Sequence, residues 1–148
     1  MKVRTLFFVL VLALIFGSCN HGNSEIVFHK SHEEKRQNTP FSDVVETEHL
    51  LFLTGQIGRD HSKGILVEGG IKAETKQVIE NIKAVLEHHD LDLSRVVKCT
   101  VILGDINDFS SFNEVYMEYF PLKPARTTFA ASGLAGSAKI EIDVIAAK

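Results

Sequence analysis

The 148-residue chain contains no tryptophan, only two cysteines, and no internal repeat or low-complexity tract. It has no basic stripe either, since 16 Lys and Arg residues stand against 19 Asp and Glu, for a formal net charge of −3. This composition argues against a nucleic-acid-binding protein, because phosphate contacts need clustered basic residues. If Cys19 is lipid-modified, Cys99 has no partner for an internal disulfide.

The N-terminus has the pattern of a bacterial export signal. Lys2 and Arg4 form a basic start, residues 6–16 are an unbroken apolar run, and two small residues precede Cys19. The run is shorter than the roughly 20 residues that a membrane-spanning helix needs. We therefore predict that residues 1–18 are a lipoprotein-type signal peptide and that a lipid on Cys19 anchors the chain in the cell envelope. A plain secretory signal with an incidental cysteine is the alternative.

Removal of the signal leaves 130 residues, enough for one compact domain. The formal net charge then becomes −5, because Lys plus Arg falls to 14. Residues 19–39 are polar and predict a tether, with a possible short edge strand at residues 25–29. The folded domain is predicted to occupy residues 40–148.

Histidines occur together at two places in the chain. His21, His29 and His32 lie in the predicted tether, and their spacing matches no compact set of metal ligands. His88 and His89 end the first predicted helix, where solvated side chains on the last turn are the expected outcome. The sequence therefore predicts no metal site.

Hydrophobic periodicity predicts the order β-β-α-β-α-β-β, with two helices on one face of a mixed sheet in an α+β fold. The first two strands form a hairpin, and the third is apolar on nearly both faces, as in a covered central strand. The second helix carries enough aromatic side chains to seal a sheet. The predicted strands are residues 44–45, 50–53, 96–103, 125–129 and 139–147, and the predicted helices are residues 71–89 and 108–120.

Arg126 and Glu141 are the candidate catalytic pair, and they are expected on neighbouring strands. An arginine can hold a substrate carboxylate with two parallel hydrogen bonds, and a glutamate can orient or deprotonate a water. A solvated strand face for Glu141 and a surface ion pair for Arg126 are the alternatives. One sheet face is left uncovered by helices, so self-association is expected to bury it and to place polar clefts at subunit boundaries.

Five stretches in the same order and spacing resemble the Rid family of reactive intermediate deaminases, also called YjgF-type proteins. The resemblance extends over residues 40–146. The stretches are Leu-Thr-Gly-Gln-Ile at 53–57, Gln-Val-Ile-Glu-Asn-Ile at 77–82, the helix segment 107–116, Pro-Ala-Arg at 124–126 and Ile-Glu-Ile-Asp at 140–143.

The resemblance implies a chorismate-mutase-like fold assembled as a homotrimer with three clefts between subunits. Such proteins hydrolyse 2-imino acids, or their enamine tautomers, to 2-keto acids and ammonia without a metal or an organic cofactor. In this resemblance Arg126 matches the residue that grips the substrate carboxylate, and Glu141 matches the one that orients water. The other matching cleft positions are Thr54, Gly55, Asn113 and Thr128.

Two positions depart from the family pattern. Phe41 stands where many deaminases carry a tyrosine, and the connection at residues 121–123 is short. Both differences affect the expected substrate preference more than the reaction type. The alternative function is a non-catalytic envelope trimer that binds small carboxylates or a protein partner, and hydrolysis of another C–N bond is a third.

Overall fold

The computed structural model describes residues 25–148. The predicted signal peptide at residues 1–18 and the predicted lipidation site Cys19 lie outside the described residues, as does His21. Within the described part of the chain, the helices are too short or too polar to cross a membrane.

The described residues form eight strands and two α-helices, which are numbered here in chain order. They are β1 Val27–His29, β2 Val44–Glu46, β3 Leu50–Ile57, β4 Arg59–Asp60, β5 Ile65–Leu66, α1 Gly70–His88, β6 Val96–Leu103, α2 Phe109–Tyr119, β7 Ala125–Ala130 and β8 Ile140–Ala147. Six strands make one sheet in the order β1-β2-β3-β8-β6-β7, while β4 and β5 pair separately. Only the β6–β7 pair of the large sheet is parallel, so the predicted mixed sheet is confirmed.

The core lies between one face of this sheet and the two helices. β8 alternates strictly, with its even-numbered residues from Ile140 to Ala146 buried, because successive strand residues point to opposite faces. α1 buries an apolar stripe at helical spacing against β3 and β8, and α2 packs beside α1. Both helices begin and end within one residue of the predicted bounds. The predicted α+β arrangement with two helices on one face is therefore confirmed.

The expectation that Arg126 and Glu141 lie on neighbouring strands is wrong. β8 inserts between β3 and β6, and β6 separates it from β7. α2 connects β6 to β7 as a crossover, and such a connection leaves two parallel strands side by side. β7 is therefore the edge strand, while β8 takes a central place, where its backbone pairs antiparallel with β3 on one side and with β6 on the other.

The described part of the predicted tether packs against the domain. β1 pairs antiparallel with β2, within the possible edge strand expected at residues 25–29. Beyond it, Arg36 donates to buried Asp43 at 2.8 Å and to the side-chain oxygen of Gln56 at 3.2 Å. The ordered domain therefore begins before residue 40. Most side chains of this segment still face solvent, while Arg36 meets a buried polar partner.

Candidate functional site

Arg126 lies on β7 and its guanidinium rests against an aromatic wall supplied by α2. Its central carbon is 4.6 Å from the ring centre of Tyr116 and 5.0 Å from that of Phe112. These contacts hold the cation in a fixed place. The aromatic rings lie against the flat face of the guanidinium, so its N–H groups, which point outward in its plane, remain available to a ligand. The side chain opens into a cavity of about 500 Å³, which also takes in Asn113, Met117, Phe120, Lys123 and Pro124.

Thr128 follows Arg126 two residues along β7 and therefore shares its face of the sheet. The Thr128 hydroxyl is buried and has no hydrogen-bond partner among the described residues. A buried hydroxyl without a partner is costly, by about 1–3 kcal/mol. Arg126 and Asn113 thus share one cavity beside the aromatic wall, and the buried Thr128 hydroxyl lies on the same face of β7.

Glu141 lies on β8 and lines a different cavity, of about 580 Å³. Burial raises the pKa of the Glu141 carboxyl, and the neighbouring negative charge of Asp143 raises this pKa further. A carboxylate with a raised pKa is a better proton acceptor, which is the property a general base needs. The cavity is also lined by Lys35, Arg36, Thr39, Phe41, Thr54, Gly55, Gln56, Ile57, Arg59, His61 and Ala135.

Thr54 and Gly55 form a β-bulge beside Glu141. Leu53 pairs with Val144 and Gln56 with Ile142, so two residues of β3 span a single residue of β8. A Cβ on residue 55 would lie 2.1 Å from the Glu141 Oε1 atom. Only glycine therefore lets the β3 backbone approach the carboxylate this closely.

The two halves of the predicted site lie on opposite faces of the sheet. Arg126 pairs with Cys99, which is buried beneath the helices, whereas Glu141 pairs with Ile102 on the other face. The structure brings Phe41, Thr54 and Gly55 together with Glu141, and it brings Asn113 and Thr128 to Arg126. It does not bring the two sets together within one copy of the chain. Alternation along a strand shows which of its residues share a face. It does not show whether residues of two different strands point to the same side of the sheet, because that depends on how the strands pair.

Several functional candidates were missed at the sequence level. Tyr116 was predicted only as sheet-sealing surface, yet its ring lies nearest to the arginine. Arg36 and His61 line the Glu141 cavity, and burial lowers the pKa of His61 so that a neutral imidazole is favoured. Both residues lie in loops that fold back over the sheet. No local sequence pattern predicts the path of such loops.

Cys99 is buried under α2 and is not a candidate nucleophile. Burial raises the pKa of its thiol, and the Tyr116 hydroxyl lies 3.3 Å from the sulfur. A thiol held in its protonated form is a poor nucleophile. The expected burial of this cysteine is confirmed.

The family model described as Endoribonuclease L-PSP matches residues 32–148. The chain belongs to the Rid family. A solved structure from Yersinia pestis, described as a protein of unknown function of the conserved Rid protein family, superimposes with a TM-score of 0.78 at 32% identity. That match covers 84% of this chain and all of the Yersinia chain (100%).

Two curated relatives extend the comparison within the Rid family. The human 2-iminobutanoate/2-iminopropanoate deaminase is 41% identical over 108 residues, which cover 72% of this chain and 79% of the human protein. A RutC family protein of Pyrococcus horikoshii is 47% identical over 110 residues, covering 74% of this chain and 87% of that protein. The region matched by the family model, residues 32–148, contains both helices, both cavities and the five sequence stretches that predicted the family.

Proposed function

We propose that this Rid-family protein hydrolyses 2-imino acids, or their enamine tautomers, to 2-keto acids and ammonia in a cleft between two copies of the chain. The observation that carries the proposal is the presence of two incomplete half-sites on one chain. One offers a fixed cation with polar neighbours around Arg126, and the other offers a carboxylate of raised pKa, Glu141, beside a bulged backbone. The name of the human relative supports the same reaction class.

Assembly into a homotrimer would bring the half-sites together. The sheet face away from the helices exposes large apolar side chains, including Phe52 at 39% and Phe129 at 46% of their surface. Exposed apolar side chains on a sheet face favour self-association. Phe129 lies on the same edge strand β7 as Arg126 but on the opposite face, so contacts through this face would bring the β7 edge of one copy, with its Arg126, toward the glutamate of the next.

Arg126 would bind the substrate carboxylate through two parallel hydrogen bonds. Each hydrogen bond to a charged group contributes about 1.5–3 kcal/mol, which is enough to select carboxylates over neutral molecules. The unpartnered Thr128 hydroxyl and the Asn113 amide would supply further hydrogen bonds to the same end of the substrate. The aromatic wall keeps the guanidinium in place before the substrate arrives, so little order is lost on binding.

Glu141 would activate the water that attacks the imine carbon. The carboxylate accepts a proton from water as the water oxygen bonds to the carbon of the protonated imine, and the C=N double bond becomes a C–N single bond in a neutral tetrahedral carbinolamine. Glu141 then gives this proton to the amine nitrogen, the C–N bond breaks, the hydroxyl oxygen forms the keto C=O bond, and the hydroxyl proton passes to the departing ammonia, which leaves as ammonium. A positioned base of this kind contributes about 10²–10⁴ in rate.

The reaction is tested with a freshly generated 2-imino acid. An amino-acid oxidase would supply the imine, semicarbazide would trap what remains, and the decay would be compared with and without the full-length protein. We expect faster decay, and we expect Arg126→Ala to abolish the acceleration. If wild-type protein leaves the decay unchanged and a 2-keto acid only raises its melting temperature, the protein is a carboxylate-binding module instead.

The same proposal includes location in the bacterial cell envelope through a lipid on Cys19. Its basis is the basic, apolar and small-residue sequence that precedes this cysteine. Labelled palmitate should be incorporated into the wild-type protein and not into a Cys19→Ser variant. Equal labelling of both proteins, or the absence of label in both, would contradict the lipid anchor.

A further inference from the structure

A group of metal-ligating side chains lies away from both cavities. One donor atom each from His29, Glu46 and His89 lies within 4.8 Å of the other two. The three residues belong to different elements: His29 is in β1, Glu46 ends β2, and His89 follows the last residue of α1. Because the three residues are distant in sequence, no local spacing pattern predicts that they form a group.

The geometry of this group suits a tetrahedral ion. The His29 Nε2 atom lies 2.8 Å from the Glu46 Oε2 atom, and the rings of His29 and His89 meet edge to face with centres 4.7 Å apart. Two ligand atoms bonded to one tetrahedral Zn²⁺ are about 3.4 Å apart, given metal–ligand bonds of roughly 2.0–2.1 Å. An ion can therefore enter this group with side-chain movements of about 1 Å.

We propose that His29, Glu46 and His89 bind a zinc ion, with water in the fourth position. Two neutral imidazoles and one carboxylate are a donor set that Zn²⁺ accepts, and they reduce its charge from +2 to +1. All three side chains are half-buried, so the ion would be partly shielded yet reachable from solvent. This proposal is independent of the imine chemistry.

The surroundings of the group also support a bound ion. Lys148 Nζ lies 2.5 Å from Glu46 Oε1, so it orients the carboxylate and leaves the Oε2 atom toward the histidines. Such outer contacts commonly fix the ligands of a metal. Two more imidazoles continue the cluster: His88 lies 5.5 Å from His89, and His32 stacks on His88 at 4.9 Å, measured between ring centres.

The zinc would act as a structural clasp rather than as part of the catalytic site. Glu46 pairs with Leu51 near the start of β3, whereas Glu141 pairs with Ile57 at its end. Six residues of strand separate these positions by about 20 Å. β1 is a strand of three residues at the sheet edge, and an ion shared with β2 and the end of α1 would pin it to the domain.

Calorimetric titration of the metal-free, full-length protein with zinc chloride tests the proposal. We expect one saturable site per chain. His89→Gln and Glu46→Gln should each weaken binding at least as much as loss of an outer-shell partner does, about 10–100-fold. His49→Gln is the matched control, because that imidazole is 81% exposed and lies outside the cluster. Zinc should raise the melting temperature of wild type and of the control, but not of His89→Gln.

Two results would overturn the proposed zinc site. One is the absence of saturable zinc binding by the wild-type chain. The other is equal affinity in wild type, His89→Gln and Glu46→Gln, which would place the ion elsewhere. Cobalt(II) adds a second readout, since visible absorption bands of a tetrahedral site should appear with wild type and disappear with either variant. Circular dichroism of each metal-free variant verifies that it is folded.

Discussion

Arg126 and Glu141 lie on opposite faces of one sheet, with β6 between the strands that carry them. No side-chain rotation can bring these two groups together across a packed sheet. If both act on one substrate, the arginine of one copy must meet the glutamate of another. This relationship makes the subunit boundary a requirement of the proposed mechanism and provides a direct test of it.

Mixing two inactive variants should restore activity. Arg126→Ala retains the glutamate half-site and Glu141→Gln retains the arginine half-site, so neither variant alone would have an intact cleft in the proposed trimer. In randomly mixed trimers from equal co-expression, about one quarter of the clefts combine an intact arginine with an intact glutamate. The measurement is imine hydrolysis by the co-expressed, purified mixture.

The activity of the mixture shows whether Arg126 and Glu141 act together across a boundary between two copies of the chain. Recovery to about a quarter of wild-type activity supports a cleft between copies. A double variant that carries both changes, mixed with wild type, is the control for expression and assembly. Activity of the mixture no higher than that of either separate variant would show that the two groups do not cooperate across a boundary.

Gly55→Ala should reduce catalysis far more than stability. The added methyl carbon would lie 2.1 Å from the Glu141 Oε1 atom, so the carboxylate must move aside. A displacement of this size costs about 100-fold in kcat/KM. Gly133→Ala is the control, because its added carbon meets nothing within 4 Å. Equal kcat/KM for both variants would show that the position of Glu141 is not critical.

Activity should fall on acidification at a higher pH than an ordinary glutamate would produce. Burial, and then Asp143, raises the pKa of Glu141, and the base works only when it is ionised. Asp143→Asn removes one of the two causes, so the acid limb of the kcat/KM profile should shift to lower pH. An unshifted limb would show that another group controls it.

Glu141→Gln should stabilise the protein at neutral pH while it abolishes hydrolysis. A carboxyl whose pKa is raised by folding binds protons more tightly in the folded chain, so stability is lost as pH rises through that range. Glutamine removes this cost. Thermal unfolding should show a higher melting temperature for the variant than for wild type, with a larger difference at pH 7 than at pH 4. An equal difference at both pH values would show that Glu141 does not have a raised pKa in the folded chain.

Tyr116 provides a way to separate ring contact from the hydroxyl. Tyr116→Phe keeps the ring beside Arg126 and loses the hydroxyl, which contacts the Cys99 sulfur and Arg126, so KM should rise less than on loss of the whole ring. Tyr116→Leu removes a cation–π contact of about 0.5–2 kcal/mol, and KM should rise roughly 2- to 30-fold. Steady-state kinetics measure both. Equal KM values for the two variants would exclude a positioning role for the ring.

Much of the fold was predictable because local periodicity depends on neighbouring residues alone. The stripe that α1 buries, the strict alternation of β8 and the apolar β6 each follow from spacing within one segment. Strand order was not predictable in this way. The same β7 and β8 sequences would suit adjacent strands, and only the parallel β6–β7 pairing leaves β8 between β3 and β6.

The candidate site was likewise predictable in part from the sequence and in part only from the tertiary structure. The roles predicted for Arg126 and Glu141 come from residue type and from the five registered stretches. Their separation onto two faces was not, because it depends on which residues pair across β6. The group formed by His29, Glu46 and His89 is the clearest omission, since the first histidine was assigned to a tether and the last to a solvated turn.

The sequence by itself determined the family, the two helices, the buried faces of the strands and the residue types available for catalysis. These depend on side-chain chemistry and on short-range periodicity, which are properties of the chain before it folds. Only the tertiary structure decided which side chains meet. It set Glu141 against Gly55, Arg126 against Tyr116 and His29 against His89, because contacts between distant segments depend on strand order, register and loop paths.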